Sequence, residues 1–242
     1  MKIDVCIVTK NDSVPKGLEY IPINNLIFET STPIGIARMK AIERVTTPIF
    51  AFIDDDIIIS ENWFNGLMQF MNDEKVGAVW GTIKNRGLGI FDKSYIGFSP
   101  YAILKKTDRF NTNNSLIRTE LVKDWKPTIG LNCYEDLDLG YHIMNKGYKI
   151  LTIPSDTIHQ KGFIQVAKSA YWAGSRYYEA YKPTKYKYLK QILRRLGSPF
   201  IQIFTHGLLS SIIVTYRNTF FLLGILKSEI ERRKSIDKNK KN

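Results

Sequence analysis

The sequence predicts an α/β fold: a Rossmann-like mixed, mostly parallel sheet flanked by helices, followed by a helical appendage. Three observations predict it. Short β-branched runs alternate with stretches of helical spacing, the pattern of strands joined by helices. Three consecutive aspartates, Asp54-Asp55-Asp56, close one of the apolar runs. The charge is also split: residues 1–160 hold 18 Lys and Arg against 19 Asp and Glu, whereas residues 161–242 hold 17 against 4. With 242 residues and 44% hydrophobic content, the chain can build one packed domain, expected over 1–160, with an appendage over 161–242.

Ile3–Thr9 is β-branched and reads as a buried strand. Loop residues follow it, and Leu26–Glu29 is a second, weaker strand. Thr32-Pro33 supplies a helix cap and first residue, and Ile34, Ala37, Ala41, Ile42 and Val45 follow at helical spacing. Ile49–Ile53 returns as a strand. Ser60 caps a helix whose face includes Trp63, Phe64, Leu67 and Met71. Val76–Ile83 is a strand, and Asn85 to Thr107 a loose, glycine-bearing loop region. Asn113–Ile117 restores order, and Thr119–Lys123 reads as a short helix. Glu135 to Lys146 forms a helix stopped by Gly147, and Tyr148–Ile153 is the last strand.

The aspartates at 54–56 follow a run too apolar to hide them, since an unpaired buried charge is very costly. The strand must end there, at an edge or cleft. Ligands of such sheets bind at the carboxyl ends of strands, and carboxylates gathered there suit a hard cation that neutralises a diphosphate. A solvated acidic turn is the bland alternative. A second cluster, Glu135-Asp136-Leu137-Asp138, also suits the positive end of a helix with no further role. His159 follows the last strand; a lone histidine is more often structural than a ligand. No GxGxxG follows the first strand and no GxxxxGK[ST] occurs, so neither a dinucleotide dehydrogenase nor a P-loop enzyme is supported.

The order of these pieces resembles the family 2 glycosyltransferases of the GT-A fold. Ile7–Asp12 (IVTKND) is similar to the family's first strand and turn, and Gly35-Ile36-Ala37-Arg38 to its G-x-A-R helix start. Phe52–Asp56 (FIDDD) resembles the D-x-D motif, as Asp54-x-Asp56. Asn113–Arg118 (NNSLIR) resembles the strand bordering the acceptor site, and Tyr134–Ile150 the E-D-x-D-L helix with its G-Y-K strand. The resemblance covers roughly residues 3–160. It implies a nucleoside-diphosphate-sugar donor, Mn²⁺ or Mg²⁺, and a single inverting displacement. It implies Asp56 and His159 as metal ligands, and Thr9, Asp12, Arg38, Asp54, Asp55 and Asn114 at the nucleotide sugar. Asp136 is implied as catalytic base, with Glu135 beside it. Two departures stand out: residues 12–26 are too short for a full helix, and Gly140-Tyr141-His142 stands where the family commonly has an arginine.

The appendage is aromatic and basic. Phe163–Tyr181 has helical spacing, and Lys182 to Leu196 reads as a basic amphipathic helix broken by Gly197-Ser198-Pro199. Phe200–Leu226 is long and apolar, but Gln202, Thr205, His206, Ser210 and Arg217 recur near one helical stripe. That pattern fits helices lying in a membrane interface better than a span; a second copy of the chain is the other occupant considered. Met1-Lys2-Ile3-Asp4 leads straight into the first strand with no signal peptide, and Cys6 and Cys133 have no CxxC or Cys/His neighbour. Reduced thiols on the cytosolic face of the cell membrane, and no zinc site, are therefore expected. The favoured reading is a membrane-associated transferase moving a hexose to a lipid-linked acceptor, with no nucleic-acid partner. Three readings compete: an enzyme acting on a soluble or surface glycan, a sugar-phosphate nucleotidyltransferase, and a basic membrane module with an inert catalytic domain. A nucleotidyltransferase would need a Gly-rich phosphate loop, and Thr9–Ser13 lacks glycine.

Overall fold

In the computed structural model, residues 1–9, 13–94, 110–128, 133–181 and 184–239 are described. The chain divides into two units: Met1–Arg86 with Ile96–Gln160, and Gly87–Tyr95 with Lys161–Asn242. Asp12 and residues 95–109 of the loop region lie outside the described residues.

The first unit is built on a seven-stranded sheet. Its strands are β1 (Ile3–Val8), β2 (Ile23–Glu29), β3 (Ile49–Ile53), β4 (Ile57–Ile58), β5 (Val76–Arg86), β6 (Asn114–Arg118) and β7 (Lys149–Gln160), in the order β2-β1-β3-β6-β5-β7-β4. The pairs β1–β2, β1–β3 and β5–β7 are parallel. The strand β6 runs against both neighbours, and β4 against β7, so the sheet is mixed in equal measure rather than mostly parallel.

Central strands are apolar on both faces because helices cover both. One layer packs Ile3, Val5 and Ile7 of β1 with Trp63 and Leu67 of α2 (Trp63–Met68). The other packs Cys6, Phe50 and Phe52 against Ala41 and Ile42 of α1 (Ile34–Arg44) and Leu139 and Ile143 of α3 (Glu135–Asn145). The edge strand β2 begins three residues earlier than its apolar pattern implies. Asn24 and Asn25 extend it, donating from Nδ2 to Asp4 Oδ1 at 2.9 and 3.0 Å. With Thr46 and Thr47 also donating, Asp4 is held down at about 2 against the opposing effect of burial.

The strand β7 also outruns its expected end at Ile153. Its pairing with β5 steps from Gly81–Ile153 to Ile83–Thr157, so Pro154, Ser155 and Asp156 bulge out of the ladder. A proline, which lacks the donor a ladder needs, is tolerated at such a bulge. Beyond it β7 continues to Gln160, and His159 becomes a strand residue facing β4 in register with Ile57.

The second unit is helical: α4 (Phe163–Tyr181), α5 (Lys185–His206) and α6 (Leu208–Asn239). A Cβ on Gly174 would lie 2.0 Å from Phe221 O, and one on Gly224 2.1 Å from Tyr171 O, so α4 and α6 touch backbone to backbone. The break expected at Gly197–Pro199 does not occur. The helix α5 runs through Pro199 and ends at Gly207, whose φ of +83° suits glycine. Pro199 has no N–H to give the carbonyl of Arg195 four residues back. Asn218 of α6 replaces it, donating from Nδ2 to Arg195 O at 2.8 Å, and Ser198 Oγ donates there at 3.3 Å.

Candidate active site

Three chain segments converge at the carboxyl ends of β1 and β3. The first is the turn Asp54-Asp55-Asp56 between β3 and β4, pinned where Asp54 N donates to Asn113 O at 2.9 Å. The second is Thr9 after β1. The third is the first turn of α3, entered through Tyr134 in the left-handed conformation (φ 68°). A bulky residue held at positive φ is a strained junction, of a kind that clusters at functional sites.

The three aspartates have different partners. Asp55 Oδ2 accepts from Thr9 Oγ1 at 2.5 Å and from Ser13 Oγ at 2.9 Å, which ties these two residues to the acidic turn. Asp56 Oδ2 lies 2.8 Å from His159 Nε2. That meeting depends on the short β4–β7 ladder, and Gln160 N donates to Asp56 O at 3.0 Å. Asp54 Oδ1 lies 3.6 Å from Arg38. Enclosure by protein pushes the Asp54 carboxyl up, Arg38 pulls it down, and the Asp56 charge pushes it up again.

Arg38 is nearly buried. It donates from one guanidinium nitrogen to Glu135 Oε1 at 2.5 Å while the other faces Asp54. One arginine of α1 therefore ties the acidic turn to the acidic helix. Its guanidinium, expected at a diphosphate, is engaged by these two carboxylates. Glu135, expected beside the base, is buried and bonded to Arg38, so its carboxylate supports the site rather than facing it. Asp138 accepts from Trp125 Nε1, Thr128 N and Thr128 Oγ1, at 3.0, 3.0 and 2.6 Å. Of the three acids on α3, Asp136 alone has no protein partner among the contacts described here beyond its neighbour's backbone, Leu137 N at 2.9 Å. Burial pushes its carboxyl up to about 7, with Glu135 adding to the rise and Arg38 opposing it. A carboxyl poised there can take a proton near neutral pH.

Asn114, expected at the nucleotide sugar, is corrected by its surroundings. It is fully buried, and its Oδ1 accepts from Gly81 N at 2.8 Å and Trp63 Nε1 at 3.3 Å. It braces β5 and β6 and does not line the cleft. Ser13 was missed by sequence reasoning; its only signal is a hydroxyl four positions beyond Thr9 on a turn rich in polar residues.

Asp56 and His159 are the two donors that converge with exposure to spare: the Asp56 side chain is 43% exposed and that of His159 15%. Among the described residues no group of three His, Cys, Asp or Glu side chains forms a complete metal cage. A carboxylate and an imidazole fit a cation whose remaining ligands are water and phosphate oxygens, the manner in which Mg²⁺ is commonly held.

The sequence pattern of the family described as "Glycosyl transferase family 2" matches residues 16–129, just under half of the chain. No curated protein matches the chain. Among solved structures, A197 from STIV is 16% identical, covering 64% of this chain and 83% of its own, with a TM-score of 0.45. Glucosyl-3-phosphoglycerate synthase from Mycobacterium tuberculosis, in complex with Mg²⁺ and uridine diphosphate, is 12% identical, covering 66% and 72%, with a TM-score of 0.46. S. aureus TarS is 14% identical, covering 75% of this chain and 40% of its own, with a TM-score of 0.43. Residues 16–129 hold Arg38 and the acidic turn, and over that stretch the chain is similar in sequence to glycosyl transferase family 2.

Proposed function

We propose that this protein is an inverting glycosyltransferase that moves a hexose from a nucleoside-diphosphate sugar to a lipid-linked acceptor at the cytosolic face of a membrane. The observation that carries the reading is the Arg38 bridge. It holds a carboxyl that titrates near neutrality, Asp136, beside a turn that presents Asp54, Asp55 and Asp56. Transfer needs those two things together: a place for the donor's diphosphate and a proton acceptor next to it. The family match over residues 16–129 supports the same chemistry.

Asp56 and His159 would hold Mn²⁺ or Mg²⁺. When bound, that cation neutralises the diphosphate leaving group. Asp136 takes the proton from the acceptor hydroxyl as its oxygen forms a bond to the anomeric carbon; the bond from that carbon to the diphosphate oxygen breaks in the same displacement. Thr9 and Ser13, both bonded to Asp55, would lie against the nucleotide. An acceptor phosphate would already be a nucleophile and would rely less on Asp136. The membrane part of the reading rests on the charge split and on the apolar face of the second unit.

A panel of nucleotide sugars with Mn²⁺, read by melting temperature and by slow donor hydrolysis, tests the donor site. One donor should protect the protein only when metal is present, and Asp56→Ala should abolish that protection while leaving the unliganded melt unchanged. Full metal-dependent protection of Asp56→Ala would remove Asp56 from the metal site.

A further inference from the structure

The second unit carries an apolar surface that is exposed among the described residues. On α5, Tyr186, Leu189, Leu193, Leu196, Phe200 and Phe204 are all exposed, spaced three and four apart, so they form one stripe. Phe204 is the most open, at 88%. The opposite face of α5, with Tyr188 and Ile192, packs into the helical core with Phe221 and Ile225 of α6. Past Gly207 the exposed surface continues into α6 through Leu208, Leu209 and Ile212.

Charge marks where this surface begins and ends. Lys187, Lys190 and Arg194 are exposed along one border of the stripe, and Arg217 follows on α6. Between Arg195 and Arg217 the sequence contains no Asp, Glu, Lys or Arg. From Arg194 to Gly207 a helix rises about 20 Å, and from Leu208 to Arg217 about 14 Å, at ~1.5 Å per residue. One leaflet of a bilayer's hydrocarbon is about 15 Å deep.

Several polar side chains inside this uncharged stretch are bonded within the helices, which lowers the cost of placing them in lipid. Ser210 Oγ donates across the hairpin to Gln202 Oε1 at 2.9 Å. Thr205 Oγ1 donates to Ile201 O at 3.0 Å and Thr215 Oγ1 to Ser211 O at 2.8 Å. At the base, Asn218 holds Arg195 O and Ser198 Oγ, both at 2.8 Å.

We infer that the α5–α6 hairpin inserts its tip, residues 196–216, into one leaflet of an anionic bilayer, entering and leaving by the same face, with Lys187, Lys190 and Arg194 at the headgroups. Phosphate headgroups complement that basic border, and each such charge near an anionic surface adds roughly 1 kcal/mol of attraction. This rests on the membrane part of the reading above and not on glycosyl transfer.

A single span by α6 is the competing geometry. By length and composition, Leu208–Arg233 is the one helix among the described residues that could cross a membrane, with mean hydropathy 1.4. Its later half already has a partner, however. Phe221 and Ile225 are buried in the helical core, and Gly224 is in backbone contact with α4. A span would drag α4, with its exposed Lys168, into hydrocarbon.

Depth measurements on the full chain decide between these. Cys6 is buried and its thiol is pushed far up, so in a Cys133→Ser background one introduced cysteine can be labelled with an environment-sensitive dye. Phe204→Cys, Lys187→Cys and Lys227→Cys are compared on vesicles of phosphatidylcholine with phosphatidylglycerol. The dye at 204 should be quenched several-fold more by a nitroxide deep on the acyl chain than by one on the headgroup, and the dye at 187 the reverse. Unlabelled Lys227→Cys should stay open to an impermeant thiol reagent added outside. Phe200→Asp with Phe204→Asp should weaken vesicle flotation about tenfold or more, with the melting temperature unchanged. Flotation with no deep quenching at 204 would overturn insertion and leave surface association standing. Shielding of the thiol at 227 would replace the hairpin with a span. A protein that never floats, with the dye at 204 buried in a compact dimer, would overturn both membrane statements and assign the surface to a second copy.

Discussion

Asp136 has the most to reveal at the scale of single residues. Its carboxyl stands near 7 in the folded chain against an ordinary value of 3.8, so between those values the folded state holds a proton that the unfolded state has lost. Stability contributed by this group therefore falls as pH rises from about 4 to about 7. Asp136→Asn should remove that dependence and raise unliganded stability at pH 8 by roughly 2 kcal/mol, after allowing for water that reaches the half-buried group. The same substitution should lower turnover on a hydroxyl acceptor about 10²-fold or more, and wild-type turnover should rise through about pH 7 and level off. Denaturant melts and a pH–rate profile check the two halves; turnover that is flat from pH 6 to 8 would remove Asp136 as the base. Arg38→Met should cost about 3–5 kcal/mol, because it leaves the Glu135 charge buried without a partner. In Arg38→Met with Glu135→Gln most of that loss should return, and chemical denaturation of the two variants measures it. The acidic clusters could be read in the sequence because consecutive carboxylates cannot follow an apolar strand into a core. Which acid of Glu135, Asp136 and Asp138 faces outward could not be read. That depends on Arg38, Trp125 and Thr128, none of which is adjacent to α3 in sequence.

At the scale of elements, alternation and helical spacing gave the positions of every strand but the two-residue β4, and of α1 and α3, since local pattern and burial agree there. Pattern failed where one element's end depends on another. The strand β7 outruns Ile153 because β5 continues to Arg86 and offers it a partner beyond the β7 bulge, and α5 passes Pro199 because a side chain of α6 caps the carbonyl that proline leaves open. This second case predicts a coupling. Asn218→Ala should cost about 1 kcal/mol in the wild-type chain, because a part-buried carbonyl is left with only the 3.3 Å hydroxyl of Ser198. In a Pro199→Ala background, residue 199 regains an N–H for Arg195 O, so the cost of Asn218→Ala should fall by at least about 0.5 kcal/mol, the scale of coupling between residues in contact. A double-mutant cycle by urea midpoints gives the number, and strict additivity would mean that Asn218 acts through its other bonds alone.

At the scale of the whole molecule, the excess of 35 Lys and Arg over 23 Asp and Glu belongs to residues 161–242. Raising salt from about 0.1 to about 1 M shortens the screening length from about 10 to about 3 Å. Attachment to anionic vesicles should therefore weaken several-fold without vanishing, because the apolar part of the attraction is not screened; co-sedimentation at both salt levels measures this. Loss of all attachment at high salt would mean that charge acts alone. The charge split was legible from composition. The hairpin was not, because its turn lies at Gly207, where a single glycine in an apolar run gives little signal, while the Gly-Ser-Pro sequence that looks like a break is continuous helix.

The Arg38–Glu135 pair also has a consequence in folding time. Its partners are 97 positions apart in the chain, so the pair can close only after the intervening strands have assembled, and long-range closures are slow steps. Until then the aspartates after β3 have no arginine to offset them and no Asp136 beside them. Asp56 and His159 are 103 positions apart, so they meet no sooner than the arginine bridge closes, and a newly made chain would complete both halves of the site together.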